Sequence, residues 1–248
     1  MKKVWYAPNR LEAYGEEEIK AVEESLRAGW LAGFGPRTIE FEEKIAKEFG
    51  KKFGVFVNSG SSACLLALAA LDLPKGSKIL TPALTFSTTL APIIQLGYTP
   101  IFIDSNLTSY VPDVDDIIDA ITDDIKAIMV PNLIGNKPNW KKLKDELFKI
   151  NRSDIYLIED SADTVTYTEE SDVSTTSFYA SHVITAGGMG GMVMFNDEKH
   201  VKRALMYRDW GRIGDNSENI DDRFAHDVDG LPYDYKFLYG VLGYNMKC

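Results

Sequence analysis

Hydrophobic residues near the N-terminus recur with the spacing of helices. In EEEIKAVEESLRAGW, the residues Ile19, Val22 and Leu26 share one face, which predicts an amphipathic helix. The next segment, PRTIEFEEKIAKEFGKK, predicts a second helix, with Pro36 near its start and Gly50 at its end. This part of the chain is therefore expected to be helical.

Further along, short apolar runs alternate with helical segments. Two predicted helices run from Ser61 to Leu71 and from Trp140 to Ile150. Strands that alternate with helices form βαβ units, so the sequence predicts an α/β fold with a mostly parallel sheet. Ligands of such sheets bind beyond the carboxyl ends of the strands. The predicted strands are FGVFV, KILTP, TPIFID, IKAIMVP and IYLIED.

Composition narrows the class of protein. With 248 residues, 45% of them hydrophobic, the chain can form one large globular domain. Its net charge of −10 argues against a nucleic-acid partner. No apolar stretch approaches the roughly 18 residues of a membrane span, and MKKVWYAPNR has no signal-peptide core. We therefore expect a cytoplasmic protein with no membrane partner. Two cysteines and three scattered histidines predict no metal site.

Polar and aromatic residues follow three of the predicted strands. Residues 58–62, NSGSS, precede a helix whose N–H groups can bind an anion, although a helix cap is the commoner reason for such a sequence. Phe86 follows KILTPA, where its ring can stack on a ligand or pack in the core. Asp160 ends IYLIED, and its carboxylate can pair with a protonated ring nitrogen or cap the next turn.

The segment SFYASHVITAGGMGG, residues 177–191, has the form of a cofactor-binding loop. Ser177 and His182 precede a glycine-rich run. In many cofactor enzymes such a loop carries a lysine, but the next lysine here is Lys199, beyond the glycines. A lone histidine is more often structural than catalytic, yet its place between hydroxyls and glycines favours a functional role.

Together these residues predict a pocket for pyridoxal phosphate. The predicted phosphate cup consists of Gly60, Ser61 and Ser177, with Phe86 stacked on the ring and Asp160 at the ring nitrogen. Each feature alone has an ordinary structural explanation. Their order along the chain is what makes the combination specific.

The same motifs resemble the DegT/DnrJ/StrS family of sugar aminotransferases. The resemblance implies the type I fold of aspartate aminotransferase, with a three-layer αβα large domain over residues 1–248 that includes an N-terminal helical segment. In that family a small C-terminal domain follows, so the resemblance implies a truncated sequence. The matching segments are AGWLAGFGPRTIEFEEKIAKEFG, NSGSSACLLAL, PALTFSTT, IEDSAD, SFYASH and GYNMKC.

The resemblance assigns phosphate binding to Ser61 and Ser177. It assigns ring stacking to Phe86 and the ring nitrogen to Asp160. It also implies two further roles. His182 takes the position of the lysine that holds the cofactor, and Asn245 of GYNM reaches the phosphate bound by the partner subunit of a homodimer.

Departures from the family pattern point to one branch, nucleotide-sugar 3-dehydratases of the GDP-4-keto-6-deoxymannose 3-dehydratase type, which serve deoxysugar and O-antigen lipopolysaccharide biosynthesis. In that branch a histidine replaces the lysine, as His182 does here. The branch also has an aspartate where aminotransferases have Gln or His, shortly after the aspartate that binds the ring nitrogen, and Asp163 stands at that cofactor-binding position here. PNLIGN and RDWGR resemble its motifs too. A related subgroup has cysteines for an iron–sulfur cluster, and Ser161, Ala162 and residues 213–215 at those places disfavour a cluster here.

Histidine in place of lysine changes the expected chemistry. An imidazole cannot hold the cofactor covalently, but it can move protons. The expected cofactor form is therefore pyridoxamine phosphate, and the expected reaction is loss of the 3-hydroxyl from a nucleotide-bound 4-keto-6-deoxyhexose. His182 and Asp160 are the predicted catalytic residues. An amino acid, with glutamate as one candidate, would donate the amine.

Two alternatives stay open at this point. One is a sugar aminotransferase of the same family that tolerates histidine or has its lysine elsewhere. The other is a non-catalytic remnant that binds the cofactor or mediates dimerisation, which a truncation would favour.

Overall fold

The computed structural model describes residues 14–30, 35–214 and 219–247. Several residues of segments quoted above lie outside the described residues, namely 1–10 (MKKVWYAPNR), 31–34, Asp215 and Cys248. The helices are α1 Glu16–Arg27, α2 Pro36–Glu48, α3 Gly60–Leu71, α4 Ser87–Gln95, α5 Val114–Asp119, α6 Trp140–Lys149, α7 Glu198–Arg208 and α8 Ile220–Arg223. The strands are β1 Phe53–Val57, β2 Lys78–Pro82, β3 Thr99–Ile103, β4 Ile125–Pro131, β5 Tyr156–Asp160, β6 Val173–Ser177, β7 Gly191–Phe195, β8 His226–Val228 and β9 Leu231–Tyr233.

Seven strands form one sheet in the order β1-β7-β6-β5-β4-β2-β3. The pairs β3–β2, β2–β4, β4–β5 and β5–β6 are parallel, and β7 is antiparallel to both of its neighbours. Parallel neighbours need crossover connections. Helices lie in these connections except between β5 and β6, which residues 161–172 join without a helix. Strands β8 and β9 form a separate hairpin. The prediction of an α/β fold with a mostly parallel sheet is confirmed.

Helices cover both faces of the sheet. On one face α3, α4 and α7 pack through a core that includes Leu66, Ile93 and Ala204. On the other face α5 and α6 pack through Ile117 and Leu143, and α2 packs beside them against β1 and β7. Because side chains alternate along each strand, the two cores are separated by the sheet. This is the expected three-layer αβα architecture.

Strand β5 is the middle strand of the seven. Its residues Leu157 and Ile158 pack in the cores on opposite faces. The alternation continues through Glu159 and Asp160, so these neighbouring carboxylates also point to opposite faces. Asp160 accordingly contacts Thr89 on α4. The strand thus ends with one carboxylate for each side of the sheet.

Strand β6, VSTTS, has no counterpart among the predicted strands. All five of its residues are buried although four are polar. Their hydroxyls form hydrogen bonds across the sheet: Ser174 donates to Glu159 and Thr175 donates to Asp160. Buried polar groups need such partners. A polar strand gives no hydrophobic alternation, so its burial depends on residues that are distant in sequence.

Helix α1 forms where the apolar spacing predicts it, but none of its residues is buried. The apolar face of α1 therefore has no cover within the part of the chain that the structure describes. Among the described helices, none combines the length and apolar character that crossing a membrane would require.

Candidate functional site

A cavity of about 710 Å³ lies at the carboxyl ends of the parallel strands. Its wall consists of the segments that follow β1, β2, β4, β5 and β6, together with the residues that precede the antiparallel strand β7. This is the edge where ligands of α/β sheets bind. The cavity brings together most of the residues that the sequence indicated, namely Gly60, Ser61, Phe86, Asp160, Asp163, Ser177 and His182.

The N-terminus of α3 forms one end of the cavity. Ser59 caps the helix, because its Oγ accepts a hydrogen bond of 3.1 Å from the backbone N–H of Ser62. The Ser61 hydroxyl donates to Thr88 Oγ1 at 3.0 Å. The first N–H groups of a helix have no acceptor within the helix and favour anions. The structure confirms that Ser59 of NSGSS caps the helix, and anion binding at the same N-terminus stays a prediction.

Gly60 and Gly191 allow the strands to approach this helix closely. A Cβ atom on Gly60 would lie 2.6 Å from the Cβ of Ser177, at the end of β6. A Cβ atom on Gly191 would lie 2.3 Å from the carbonyl carbon of Ser59. Real Cβ atoms do not approach other atoms so closely, so both positions require glycine. The glycines thus bring Ser177 next to the N-terminus of α3.

Asp160 is a buried carboxylate in the cavity wall. Burial raises the pKa of its carboxyl group, and the hydrogen bond from Thr89 Oγ1, at 2.7 Å, opposes that rise. Thr175 Oγ1 donates a longer bond of 3.4 Å. Within the described residues no cationic side chain pairs with Asp160. A cationic N–H group in the cavity would favour its charged form.

Phe86 also lines the cavity, directly before α4, and 70% of the residue is exposed. A ring that is free on one side can stack on a flat ligand, whereas a core phenylalanine would be covered on both sides. The exposure of Phe86 excludes core packing within the described residues, and ligand stacking stays a prediction.

His182 lies on the loop after β6. Its Nε2 atom is 3.7 Å from Oδ1 of Asp163, and the ring of Tyr179 meets the imidazole edge-on at 5.8 Å. The backbone N–H of His182 donates to the carbonyl of Tyr179 at 3.0 Å, which closes a tight turn. Nδ1 is buried and has no hydrogen-bond partner among the described residues. The polar contact of the ring is therefore through Nε2, on the side of Asp163.

Asn245 lies outside this cavity. It is exposed and pairs with Asp209 in an isolated bridge, and its side-chain oxygen accepts a bond of 3.3 Å from the N–H of Lys247. The neighbouring carbonyl of Met246 accepts a bond from the N–H of Asn58. This bond holds the segment near the start of α3. The role of Asn245 in a partner subunit's phosphate site stays a prediction.

Three side chains that contact the candidate site residues were not predicted from the sequence. Thr88 bonds Ser61, Thr89 bonds Asp160, and Tyr179 contacts His182. The two threonines follow Phe86 in TFSTT, and adjacent hydroxyls at the start of a helix facing the cavity were the available signal. Tyr179 stands three residues before His182 and had no comparable signal.

The sequence profile of the DegT/DnrJ/EryC1/StrS aminotransferase family matches residues 12–248. The lipopolysaccharide biosynthesis protein RfbH of Salmonella typhimurium is 35% identical, over 94% of this chain and 57% of its own length. GDP-4-keto-6-deoxy-D-mannose 3-dehydratase of Escherichia coli O55:H7 is 31% identical, over 93% of this chain and 61% of its own length. The solved structure of an E. coli GDP-4-keto-6-deoxy-D-mannose-3-dehydratase with bound hydrated PLP gives a TM-score of 0.83 and 28% identity, over 100% of this chain and 64% of that chain.

These comparisons agree with the observed fold. The chain spans 57% and 61% of the length of the two curated relatives named above. The family profile covers nearly all of the chain. The chain therefore belongs to the DegT/DnrJ/EryC1/StrS aminotransferase family.

Proposed function

We propose that this protein acts with pyridoxal or pyridoxamine phosphate to remove the 3-hydroxyl group of a nucleotide-bound 4-keto-6-deoxyhexose. The observation that carries the proposal is the imidazole of His182 in the cavity wall, together with the absence of a lysine among the described residues that line the cavity. An imidazole transfers protons but forms no covalent bond to this cofactor. The relatives named as 3-dehydratases support the same reaction.

The residues of the cavity fit the cofactor. The N–H groups at the start of α3, with Ser61 and Ser177, would hold the phosphate group. Gly60 allows Ser177 to lie close to the start of this helix. Phe86 would stack on the ring. Asp160 would pair with the protonated ring nitrogen, which supplies the cation that this buried carboxylate lacks among the described residues.

The chemistry is divided between cofactor and protein. When bound, pyridoxamine phosphate supplies an amine that can react with a keto group and a ring that withdraws electrons. Asp160 would keep the ring nitrogen protonated. His182 would take up and return the proton that moves during elimination. Asp163, at 3.7 Å, would stabilise the positive charge that the imidazole then carries.

A second copy of this chain would cover the mouth of the cavity. Apolar side chains at this mouth are largely exposed, as a surface that binds another protein would be. A homodimer would bury them and bring Asn245 of one subunit toward the phosphate site of the other. Phe86, exposed to 70%, and Met189, exposed to 60%, line the cavity itself. Ile134 at 71% and Val183 at 65% line an adjoining depression that shares Asp163 and His182 with the cavity.

The test is incubation of the protein with pyridoxamine phosphate and a panel of 4-keto-6-deoxy nucleotide sugars, with an amino-acid donor such as glutamate. We expect a sugar that has lost its 3-hydroxyl, with release of ammonia, detected by mass spectrometry. An amino sugar as the product would favour an aminotransferase. A protein that binds neither form of the cofactor would favour a non-catalytic role.

A further inference from the structure

The second carboxylate at the end of β5 belongs to a buried hydrogen-bond cluster on the face opposite Asp160. Glu159 is fully buried and accepts hydrogen bonds from side chains on three different segments. Thr168 Oγ1 donates at 3.0 Å, Ser171 Oγ at 3.1 Å and Ser174 Oγ at 2.9 Å. The amide of Asn132, directly after β4, donates the fourth bond. A buried carboxylate needs this many donors, so the cluster fixes the segments that supply them.

Asn132 is the member of this cluster that reaches the site. It is 1% exposed, and its Nδ2 donates both to Glu159 and, at 2.7 Å, to the hydroxyl of Ser161. Its backbone carbonyl accepts a bond of 3.1 Å from Thr164 Oγ1. Its Oδ1 accepts a bond of 3.4 Å from the indole N–H of Trp140. One residue therefore holds both ends of the segment 161–164.

We propose that Asn132 is a positioning residue that fixes the carboxylate of Asp163 against the imidazole of His182. Asp163 lies between Ser161 and Thr164, the two residues that Asn132 holds. The functional meaning of this contact rests on the proposed role of His182 in proton transfer. The structural part of the proposal does not depend on that role.

The physical reason lies in the backbone of this segment. Residues 161–172 connect β5 to β6 without a helix or strand, so no regular backbone ladder fixes Asp163. Its side chain is 47% exposed, and water competes with its contact to His182. A functional group on a loop is held in place by the packing and hydrogen bonds behind it. Asn132 supplies two of those bonds from the rigid end of β4.

The test compares variants that cut the bonds at different points. Asn132→Leu removes the three side-chain hydrogen bonds, with Glu159, Ser161 and Trp140, while keeping similar volume and the backbone carbonyl that accepts from Thr164. The double variant Ser161→Ala with Thr164→Val leaves Asn132 and Glu159 paired and removes only the bonds to the segment that carries Asp163. Asn139→Ala is the matched control, because Asn139 caps α6 through a bond from the N–H of Lys142 and has no contact with that segment.

The readout is the ring signal of His182 in nuclear magnetic resonance spectra of the protein without added cofactor. The chain has three histidines, and His182→Asn identifies the signal. In the otherwise unaltered protein, Asp163→Asn should shift this signal. The shift should be lost in the Asn132→Leu background and in the Ser161→Ala/Thr164→Val background, and it should persist with Asn139→Ala.

Two results would overturn the proposal: a signal that Asp163→Asn leaves unchanged in the otherwise unaltered protein, or an Asp163-dependent shift that survives in the Ser161→Ala/Thr164→Val variant. Since the measurement needs no turnover, failure of the dehydratase assignment would leave its outcome unaffected. If the protein removes the sugar 3-hydroxyl, the same double variant should lower kcat on the order of 10²-fold, with little change in KM.

Discussion

Nε2 of His182 and Oδ1 of Asp163 lie 3.7 Å apart at the wall of the cavity, although the two residues belong to different loops, after β6 and after β5. The pair places a proton-transferring imidazole beside a carboxylate that can stabilise its charged form. The same cavity contains Asp160 and Phe86.

The first prediction concerns covalent attachment of the cofactor. Borohydride should leave no covalent adduct between pyridoxal phosphate and the native protein, because no lysine lines the cavity among the described residues. His182→Lys should give a reducible adduct, since the rest of the cavity is already arranged. His182→Asn should lower removal of the 3-hydroxyl by about 10²–10⁴-fold and retain cofactor binding. Mass spectrometry of the reduced protein shows whether a covalent adduct has formed. An adduct on a native lysine would favour an aminotransferase.

The second prediction concerns Asp160 and stability. Burial raises the pKa of this carboxyl group, so the folded protein binds its proton more tightly than the unfolded chain does. The contribution of Asp160 to the free energy of unfolding therefore falls as the pH rises past the usual range of an aspartate pKa. Asp160→Asn should stabilise the cofactor-free protein at neutral pH by on the order of 1 kcal/mol, and it should weaken cofactor binding.

Urea unfolding of both proteins without cofactor measures that difference. The advantage of the Asp160→Asn variant should disappear at acidic pH, where Asp160 of the native protein is protonated in both the folded and the unfolded state. An advantage that is the same at acidic and neutral pH would show that the charge of Asp160 is not its cause.

The third prediction concerns Gly60. In Gly60→Ala the new Cβ atom would lie 2.6 Å from Cβ of Ser177, so α3 and β6 must move apart. We expect destabilisation of about 1–3 kcal/mol and weaker binding of pyridoxamine phosphate in calorimetry. Gly15→Ala is the control, because its nearest neighbour would be a side-chain oxygen at 3.7 Å. Equal effects of the two substitutions would contradict the close-approach argument.

The fourth prediction concerns Lys51, whose ammonium group is buried against the backbone carbonyls of Phe49 and Thr168. Burial lowers the pKa of Lys51 to about 8, and the negative charge of Glu159 opposes this shift. Between about pH 8 and the unperturbed lysine value the unfolded chain binds more protons, so stability attributable to Lys51 rises with pH. Unfolding free energies measured from about pH 7 to about pH 10 should rise more steeply in the native protein than in Lys51→Met. Parallel curves would show that Lys51 does not titrate in this range.

The fifth prediction concerns the proposed dimer. Met189→Glu places a charge in the apolar wall of the cavity and should weaken self-association by at least several-fold, because a buried charge without a partner is unfavourable. Phe148→Glu is the control, since Phe148 is 75% exposed on α6 and does not line the cavity. Light scattering over a range of concentrations compares them. A native protein that stays monomeric at high concentration would count against a shared site.

The amino-acid sequence by itself determined the α/β class, the five apolar strands and the residues that follow them. These features depend on local patterns: the apolar run IYLI predicts a buried strand, and a carboxylate at its end must lie at the ligand-binding edge of a parallel sheet. The motifs also determined the family, because NSGSS, Phe86, Asp160 and the loop around His182 occur in a specific order.

Only the tertiary structure decided which of these residues touch each other. Strand β6 is buried although its sequence is polar, because its hydroxyls bond to Glu159 and Asp160 on the neighbouring strand. The hydrogen bonds that join Asn132 to Ser161 and Thr164 likewise connect residues that follow two different strands, β4 and β5. Hydrophobic spacing reports how one segment meets the core, whereas a hydrogen bond between distant segments depends on where the whole sheet places their ends.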